Sequence, residues 1–176
     1  VYAAQYLLEG LFQHGACEEA LKLITAKGDR SWRHMLECGT TITWEAWDQK
    51  YKPNQDWNHA WGAAPANLFS RFLLGAESLE PGWKTARIAP CPGGLSEAKG
   101  QIPTPKGPVS VHWSRKTEFL LKVDLPEGMK AKVELPVAGP NARVLMDGKE
   151  VATTRVGSQL LVDEPVSGSR KFAVKP

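Results

Sequence analysis

The sequence predicts an α plus β chain, with helices over residues 1–80 and an antiparallel β-sandwich over residues 81–176. Two observations predict this division. Apolar residues recur at helical spacing in the first part, whereas in the second part they alternate with polar residues at a period of two. The change of pattern comes at a Glu-Pro-Gly turn at 80–82.

The first part reads as short helices joined by very short loops. Helices are predicted over 2–14, 16–27 and 32–38, and the first has its apolar stripe on Ala4, Leu7, Leu8 and Leu11. Short connections make neighbouring helices antiparallel, so the pattern is typical of a helical hairpin array. Because the stripe starts at once and no Met precedes it, we expect Val1 to be an internal point of a longer chain.

The helical pattern is interrupted between residues 40 and 58. Three threonines open this segment and turn-forming residues occupy 51–55, which predicts a long polar loop of the kind that is commonly functional. A helix is then predicted from Ala63 at the latest to Leu74. Pro65 lies either in its first turn or at a kink in a helix that begins near Trp57.

The second part reads as about seven short strands, which is typical of a sandwich. Asp147-Gly148 is a strong hairpin signal, and residues 91–108, rich in proline and glycine, are predicted to form a structured loop. The predicted strands are 85–89, 109–113, 119–125, 130–135, 142–146 with 149–152, 159–162 and 171–174.

Composition excludes several kinds of partner. The net charge is only +3, and no basic block suggests nucleic acid or an anionic membrane. No apolar run approaches the length of a membrane span. Metal-ligand spacings and phosphate-binding glycine loops are lacking, so neither a metal nor a cofactor is expected. The compartment stays open between periplasm, exterior and cytoplasm.

A cluster of rings and charged groups marks the candidate site. Four of the seven tryptophans lie within 44–61, together with Glu45 and His59. Rings stack on the apolar faces of a sugar, while its hydroxyls need charged or amide partners. A carboxylate in such surroundings can also perform acid–base work. The competing interpretation is an aromatic core seam in which Glu45 merely pairs with an arginine.

Four sequence segments resemble the C-terminal end of bacterial α-L-rhamnosidases of glycoside hydrolase family 78. These segments are Gly-Thr-Thr-Ile-Thr-Trp-Glu-Ala-Trp at 39–47, Trp-Asn-His-Ala-Trp-Gly-Ala-Ala-Pro at 57–65, Glu-Pro-Gly at 80–82 and Ile-Ala-Pro at 88–90. The resemblance implies that 1–80 holds the last helices and active-site loop of an incomplete (α/α)6 catalytic toroid. It implies that 81–176 is the β-sandwich beside that toroid.

The resemblance also implies an activity and some residue roles. It implies inverting hydrolysis of terminal α-L-rhamnosides, in which Glu45 is the general base and His59 grips the sugar. The general acid would lie upstream, so the partners implied are a rhamnose-containing glycan or glycoside and the remaining N-terminal part of the same enzyme. The 176-residue chain alone is then expected to be inactive.

Other residues are interpreted from their surroundings. Trp44 and Trp57 are expected to line the sugar pocket, whereas Trp47 and Trp61 are expected to pack the loop against helices. Asp48 and Asp56 are interpreted as solvated or loop-capping acids, and the other histidines, including His34, as structural residues without recognisable partners. Desolvation between tryptophans is expected to raise the pKa of Glu45.

Two alternatives remain beside the rhamnosidase hypothesis. The chain could be a non-catalytic carbohydrate-binding or scaffolding module, or part of another (α/α)6-toroid glycosidase. The sandwich has few strand-borne rings, chiefly Trp113 and Phe119, so we expect it to support the toroid rather than to bind sugar.

Overall fold

A computed structural model describes residues 1–137 and 139–176, which form two compact units. The unit Val1–Leu68 is helical, and the unit Phe69–Pro176 consists mainly of β-strands. The predicted α plus β class, helices followed by a sandwich, is confirmed. No helix within the described residues is long and apolar enough to cross a bilayer.

The first unit contains four short α-helices. They bury one face each, with Leu8 and Phe12 on the first and Leu21 and Ile24 on the second. The hydroxyl of Ser31 accepts a hydrogen bond from the His34 amide at 3.0 Å and so caps the third helix. The helices are α1 (Ala4–Gln13), α2 (Cys17–Ile24), α3 (Trp32–Glu37) and α4 (Ala64–Leu68).

The predicted long loop is present between α3 and the 3-10 turn Ala60–Ala63 that leads into α4. Pro65 is the second residue of α4, so it lies in the first turn, where its missing N–H costs no helical hydrogen bond. The helix that was predicted to continue to Leu74 changes to a π-helical turn at Phe69–Leu73.

Within the described residues, the second unit contains eleven strands in two sheets of five and six strands. The five-stranded sheet has the order β1-β2-β6-β10-β9, and the six-stranded sheet has the order β3-β4-β5-β11-β7-β8. The strands are β1 (Ala76–Ser78), β2 (Thr85–Ile88), β3 (Glu97–Ile102), β4 (Val109–Ser114), β5 (Phe119–Asp124), β6 (Lys130–Pro136), β7 (Arg143–Met146), β8 (Lys149–Val151), β9 (Thr153–Val156), β10 (Gln159–Val162) and β11 (Ser169–Lys175).

The described residues form eleven strands where the sequence predicted about seven, and β1 lies within the part predicted to be helical. The structure differs from the predicted sandwich in two further respects. Strand β2 pairs with β6 in parallel, whereas every other strand pair in the described residues is antiparallel. The interpretation of 91–108 as loop throughout was wrong, because β3 occupies part of it. A side chain at Gly100 would meet Leu74 Cδ1 at 2.6 Å, so the glycine that suggested a loop permits close packing in a strand.

The aromatic rings on the described strands of the sandwich belong to its core. Trp113, Phe119 and Phe172 are buried, and the first two stack with ring centroids 6.0 Å apart. The indole N–H of Trp113 donates a 2.6 Å hydrogen bond to the carbonyl of Leu73, so its polar atom is satisfied. These rings offer no exposed surface for a sugar.

Neighbouring leucines of β5 provide a test of the sandwich core. Leu121 is buried and Leu120 is exposed. We expect Leu121→Ala to lower the free energy of unfolding by about 2–5 kcal/mol, because it leaves a cavity in the core. The matched variant Leu120→Ala should change it by about 0.5 kcal/mol or less. Chemical denaturation of both variants under one protocol measures the difference, and equal losses would contradict this packing.

Candidate active site

The loop between α3 and α4 is closed by hydrogen bonds that join its two sides. The amide of His59 donates to the carbonyl of Thr43 at 2.8 Å, and the Thr43 hydroxyl donates to the carbonyl of His59 at 2.8 Å. Two residues further along, the amide of Glu45 donates to the carbonyl of Asp56 at 3.0 Å. These contacts bring the two sequence motifs of the candidate site, at 39–47 and 57–65, side by side.

Gly62 permits the close approach of these two motifs. A β-carbon at this position would lie 2.7 Å from Cβ of Thr43 and 3.0 Å from the carbonyl oxygen of Trp44. The carbonyl of Gly62 also accepts a 2.6 Å hydrogen bond from the indole of Trp32. The glycine of the second motif is therefore required by the loop that carries Glu45.

The carboxylate of Glu45 is bound at both oxygens. Oε1 accepts a hydrogen bond within an ion pair with Lys52 Nζ, and Oε2 accepts a 3.1 Å hydrogen bond from the amide of Asp56. Only 17% of its side-chain surface is exposed. The hydrogen bond from Lys52, followed by that from the Asp56 amide, holds the pKa of Glu45 below its usual value.

The expectation that desolvation raises the pKa of Glu45 was therefore wrong. Desolvation does act in that direction, but the two hydrogen bonds to the charged form outweigh it. A carboxyl group with a lowered pKa is ionised at neutral pH, so Glu45 can accept a proton and is unsuited to donate one. Each oxygen accepts one of these bonds and keeps a further lone pair for water or a ligand.

His59 presents an unsatisfied polar atom on the opposite side of the same loop. Its Nε2 is buried and has no hydrogen-bond partner among the described residues. Its ring meets that of Trp61 edge-on, with centroids 3.9 Å apart, and its charge contributes to lowering the pKa of Glu45. A buried imidazole nitrogen without a partner is costly unless something binds it, which favours an exchange of hydrogen bonds with a ligand hydroxyl.

The two tryptophans that were predicted to line the pocket have different exposures. Trp44 is only 5% exposed, and its indole N–H donates to Thr40 Oγ1 at 3.1 Å. Trp57 is 49% exposed, and the two rings meet edge-on with centroids 4.8 Å apart. Trp57 thus offers a ring face for stacking, whereas Trp44 supports that ring from beneath.

The two remaining tryptophans of this segment contact rings of the helical unit. Trp47 meets the ring of Trp32 in α3 at a centroid distance of 4.9 Å, which agrees with the expected packing of the loop against a helix. Trp61 lies in the 3-10 turn, 4.7 Å from the ring of Tyr2, which belongs to the turn before α1.

Asp48 anchors the loop to α3. Its Oδ2 lies 2.6 Å from Nε2 of His34, and its Oδ1 accepts a 2.9 Å hydrogen bond from the amide of Lys50. The Lys50 amide and the His34 ring lower the pKa of Asp48. This agrees with the expected loop-capping role. The interpretation that His34 has no partner was wrong, because its partner lies in a different element, outside any local periodicity.

Sequence reasoning missed two further residues at the site. Lys52 forms an ion pair with Glu45, whereas the sequence had suggested only an unspecified arginine as a partner of this carboxylate. Gln55 is buried, and its Oε1 accepts a 3.1 Å hydrogen bond from the amide of Ala46. Neither residue belongs to a periodic pattern, so only their nearness to a turn could have suggested these roles. No group of metal-ligating side chains occurs among the described residues.

Comparison with known proteins gives a consistent assignment across both units. The family model described as bacterial alpha-L-rhamnosidase 6 hairpin glycosidase domain matches residues 1–73. The model described as bacterial alpha-L-rhamnosidase C-terminal domain matches residues 75–150. An alpha-L-rhamnosidase of Alteromonas sp. (strain LOR) is 27% identical over 180 residues, which cover 93% of this chain and 20% of that protein.

Solved structures show the same likeness. The alpha-L-rhamnosidase from Dictyoglumus thermophilum superposes with a TM-score of 0.88 at 25% identity, covering 99% of this chain and 20% of that one. The Streptomyces avermitilis alpha-L-rhamnosidase complexed with L-rhamnose gives 0.84 at 25% identity, covering 98% and 17%. The chain spans about a fifth of the length of these relatives. With two adjacent domain models of one kind matched in order, the chain belongs to the bacterial α-L-rhamnosidase family and corresponds to its C-terminal portion.

Proposed function

We propose that the chain is the C-terminal part of an inverting α-L-rhamnosidase in which Glu45 is the general base. The observation that carries this proposal is the Glu45 carboxylate, which is held at both oxygens and belongs to the same loop as the unsatisfied ring nitrogen of His59. A fixed proton acceptor in the same loop as a free hydrogen-bonding group is suited to activating water next to a bound sugar.

The substrate is a terminal α-L-rhamnoside of a glycan or glycoside. The names of the relatives support this choice, and one related structure is described as complexed with L-rhamnose. The exposed ring of Trp57 stacks on an apolar face of the sugar, with Trp44 behind it, while His59 binds a hydroxyl. Ring and hydroxyl contacts together fix the orientation of a pyranose.

Hydrolysis proceeds by a single displacement. Glu45 takes a proton from a water molecule as the water oxygen bonds to the anomeric carbon, and the bond to the leaving oxygen breaks on the opposite face. A carboxylic acid protonates that oxygen, at about 6.5–9.5 Å from the base so that water fits between them. The resemblance to the rhamnosidase family implies that this acid lies outside the chain. The two other acids of the loop do not compete for the role in this proposal, because Asp48 is bound to His34 and Asp56 faces solvent.

The two parts of the chain then have different tasks. The helical unit up to Leu68 supplies the last helices and the active-site loop of an (α/α)6 toroid. The supporting sandwich begins with β1 at Ala76, a few residues before the boundary at 80–81 that the sequence predicted. The remaining N-terminal part of the enzyme supplies the acid. Apolar side chains such as Leu7 and Leu36 are exposed here and suit burial against further helices. The 176 residues alone are inactive because half of the acid–base pair is missing.

We expect Glu45→Gln in the full-length protein to lower kcat for an aryl α-L-rhamnoside about 10²–10⁴-fold, because it removes the charge and keeps the shape. The matched control is Asp56→Asn, which neutralises an exposed acid of the same loop. Turnover of both variants is measured beside their thermal unfolding. Near-normal turnover of Glu45→Gln would refute the assignment of the base.

Inversion predicts the anomer that is released first. An α-L-rhamnoside should give β-L-rhamnose, because water attacks the face opposite to the leaving group. Proton NMR of the early reaction, before the product mutarotates, distinguishes the anomers. First release of the α-anomer would instead indicate a retaining mechanism and a covalent intermediate.

Removal of the exposed ring should weaken sugar binding. Trp57→Ala is expected to raise the Kd for L-rhamnose about threefold to tenfold, the loss typical of one aromatic contact. Tyr51→Ala removes another exposed ring of the loop and should leave the Kd unchanged. Calorimetric titration of the full-length variants measures both values. Equal effects would mean that Trp57 does not contact the sugar.

A further inference from the structure

Lys52 is held in a fixed place by the turn that carries it. The amide of Lys52 donates to the carbonyl of Gln49 at 3.2 Å, and its own carbonyl accepts from the amide of Gln55 at 3.0 Å. The side chain of Gln55 is buried and bonds to the backbone of Ala46, next to Glu45. The ammonium group is thus presented by a segment that is itself bound to the backbone beside the carboxylate.

The contacts of Lys52 and Asp56 with Glu45 are complementary. Lys52 binds Oε1, and the amide of Asp56 binds Oε2. A single partner would leave the carboxylate free to turn about its last bond, whereas a partner on each oxygen fixes its plane. The lone pairs that stay free then point in defined directions, which a base needs if water is to be attacked along one line.

We propose that Lys52 is a positioning residue that holds the Glu45 carboxylate oriented for catalysis. This inference rests on the proposed function, because it concerns the base of the same reaction. Lys52 acts through Glu45 and needs no contact with the sugar. It differs in this respect from His59 and Trp57.

The charge on Lys52 has a consequence for pH dependence. The charged and titratable groups that face Glu45 are Lys52 and His59, and the carboxylate of Asp56 lies in the solvent next to the amide that binds Oε2. Lys52 is the largest cause of the lowered pKa of Glu45, followed by the Asp56 amide. Removing the ammonium group therefore raises the pKa of Glu45. As the pH falls, the carboxylate then becomes protonated at a higher pH.

The experiment compares pH profiles of kcat/KM for Lys52→Met, Lys52→Arg and Lys50→Met in the full-length protein. The acid limb of such a profile reports the base of the free enzyme. For Lys52→Met we expect this limb to move to higher pH. At a pH on the limb, kcat/KM divided by its plateau value should be several-fold lower for Lys52→Met than for the unmodified protein. The basic limb, which reports the general acid, should stay in place.

Two variants serve as matched controls. Lys52→Arg keeps a cation at the position and should retain the original acid limb. Lys50 lies two residues away and pairs with Asp29 instead of Glu45. Lys50→Met therefore removes an ammonium group from the same turn and should leave the profile unchanged. Thermal unfolding of all three variants separates a shifted limb from a damaged fold.

The outcomes separate this inference from the proposed function. An acid limb of Lys52→Met that coincides with that of the unmodified protein overturns the role of Lys52, even if Glu45→Gln is inactive. A shift that Lys50→Met reproduces also overturns it, because the effect would then belong to the charge of the whole turn. An active Glu45→Gln variant refutes the base itself, whatever the profiles of the lysine variants.

Discussion

The candidate site depends on the hydrogen bonds that close the loop between α3 and α4. Thr43 bonds to His59 through backbone and hydroxyl, and Glu45 bonds to Asp56 through its amide. A loop of this length has many conformations, and ordering its backbone costs about 1–2 kcal/mol per residue. The cross-links offset part of that cost, and Gly62 allows the close approach that they require. Without them the carboxylate and the imidazole would have no fixed relation to each other.

The environment of Glu45 decides which half of an acid–base pair it can be. A carboxyl group that donates a proton needs an apolar setting that raises its pKa, whereas a proton acceptor must remain ionised. Two hydrogen bonds to the charged form achieve the second condition and limit the basicity of the group at the same time. The site therefore keeps the Glu45 carboxylate ionised, at the expense of its basicity. This property is consistent with the proposal that Glu45 is the base and that another part of the protein supplies the acid.

The sequence was sufficient for the division into helices and sandwich, because periodicities of 3.6 and 2 are set by local geometry. It also assigned Glu45, His59 and Trp57 to one candidate site, through local composition and through resemblance to a family. It failed where a contact joins residues without periodicity. Lys52 and the partner of His34 lie in turns, and β3 was concealed by Gly100, whose role is visible only against Leu74. The predicted direction of the Glu45 pKa shift was wrong for the same reason, because it depends on hydrogen-bond partners that the sequence does not reveal.

A site on an irregular loop appears at odds with the need for positional accuracy, but its bonding pattern removes the conflict. Asp48 bonds to His34, Lys50 pairs with Asp29, and Gln55 bonds to the backbone of Ala46. The first two contacts tie the loop to α3 and to the segment before it, and the third joins the two sides of the loop next to Glu45, so no single hinge can move Glu45 alone. Helices and strands position their side chains through repeated backbone hydrogen bonds. This loop positions one carboxylate through a mixture of ion pairs and side-chain hydrogen bonds. That arrangement allows a donor on each oxygen of Glu45, which the uniform spacing of a helix or strand does not readily provide.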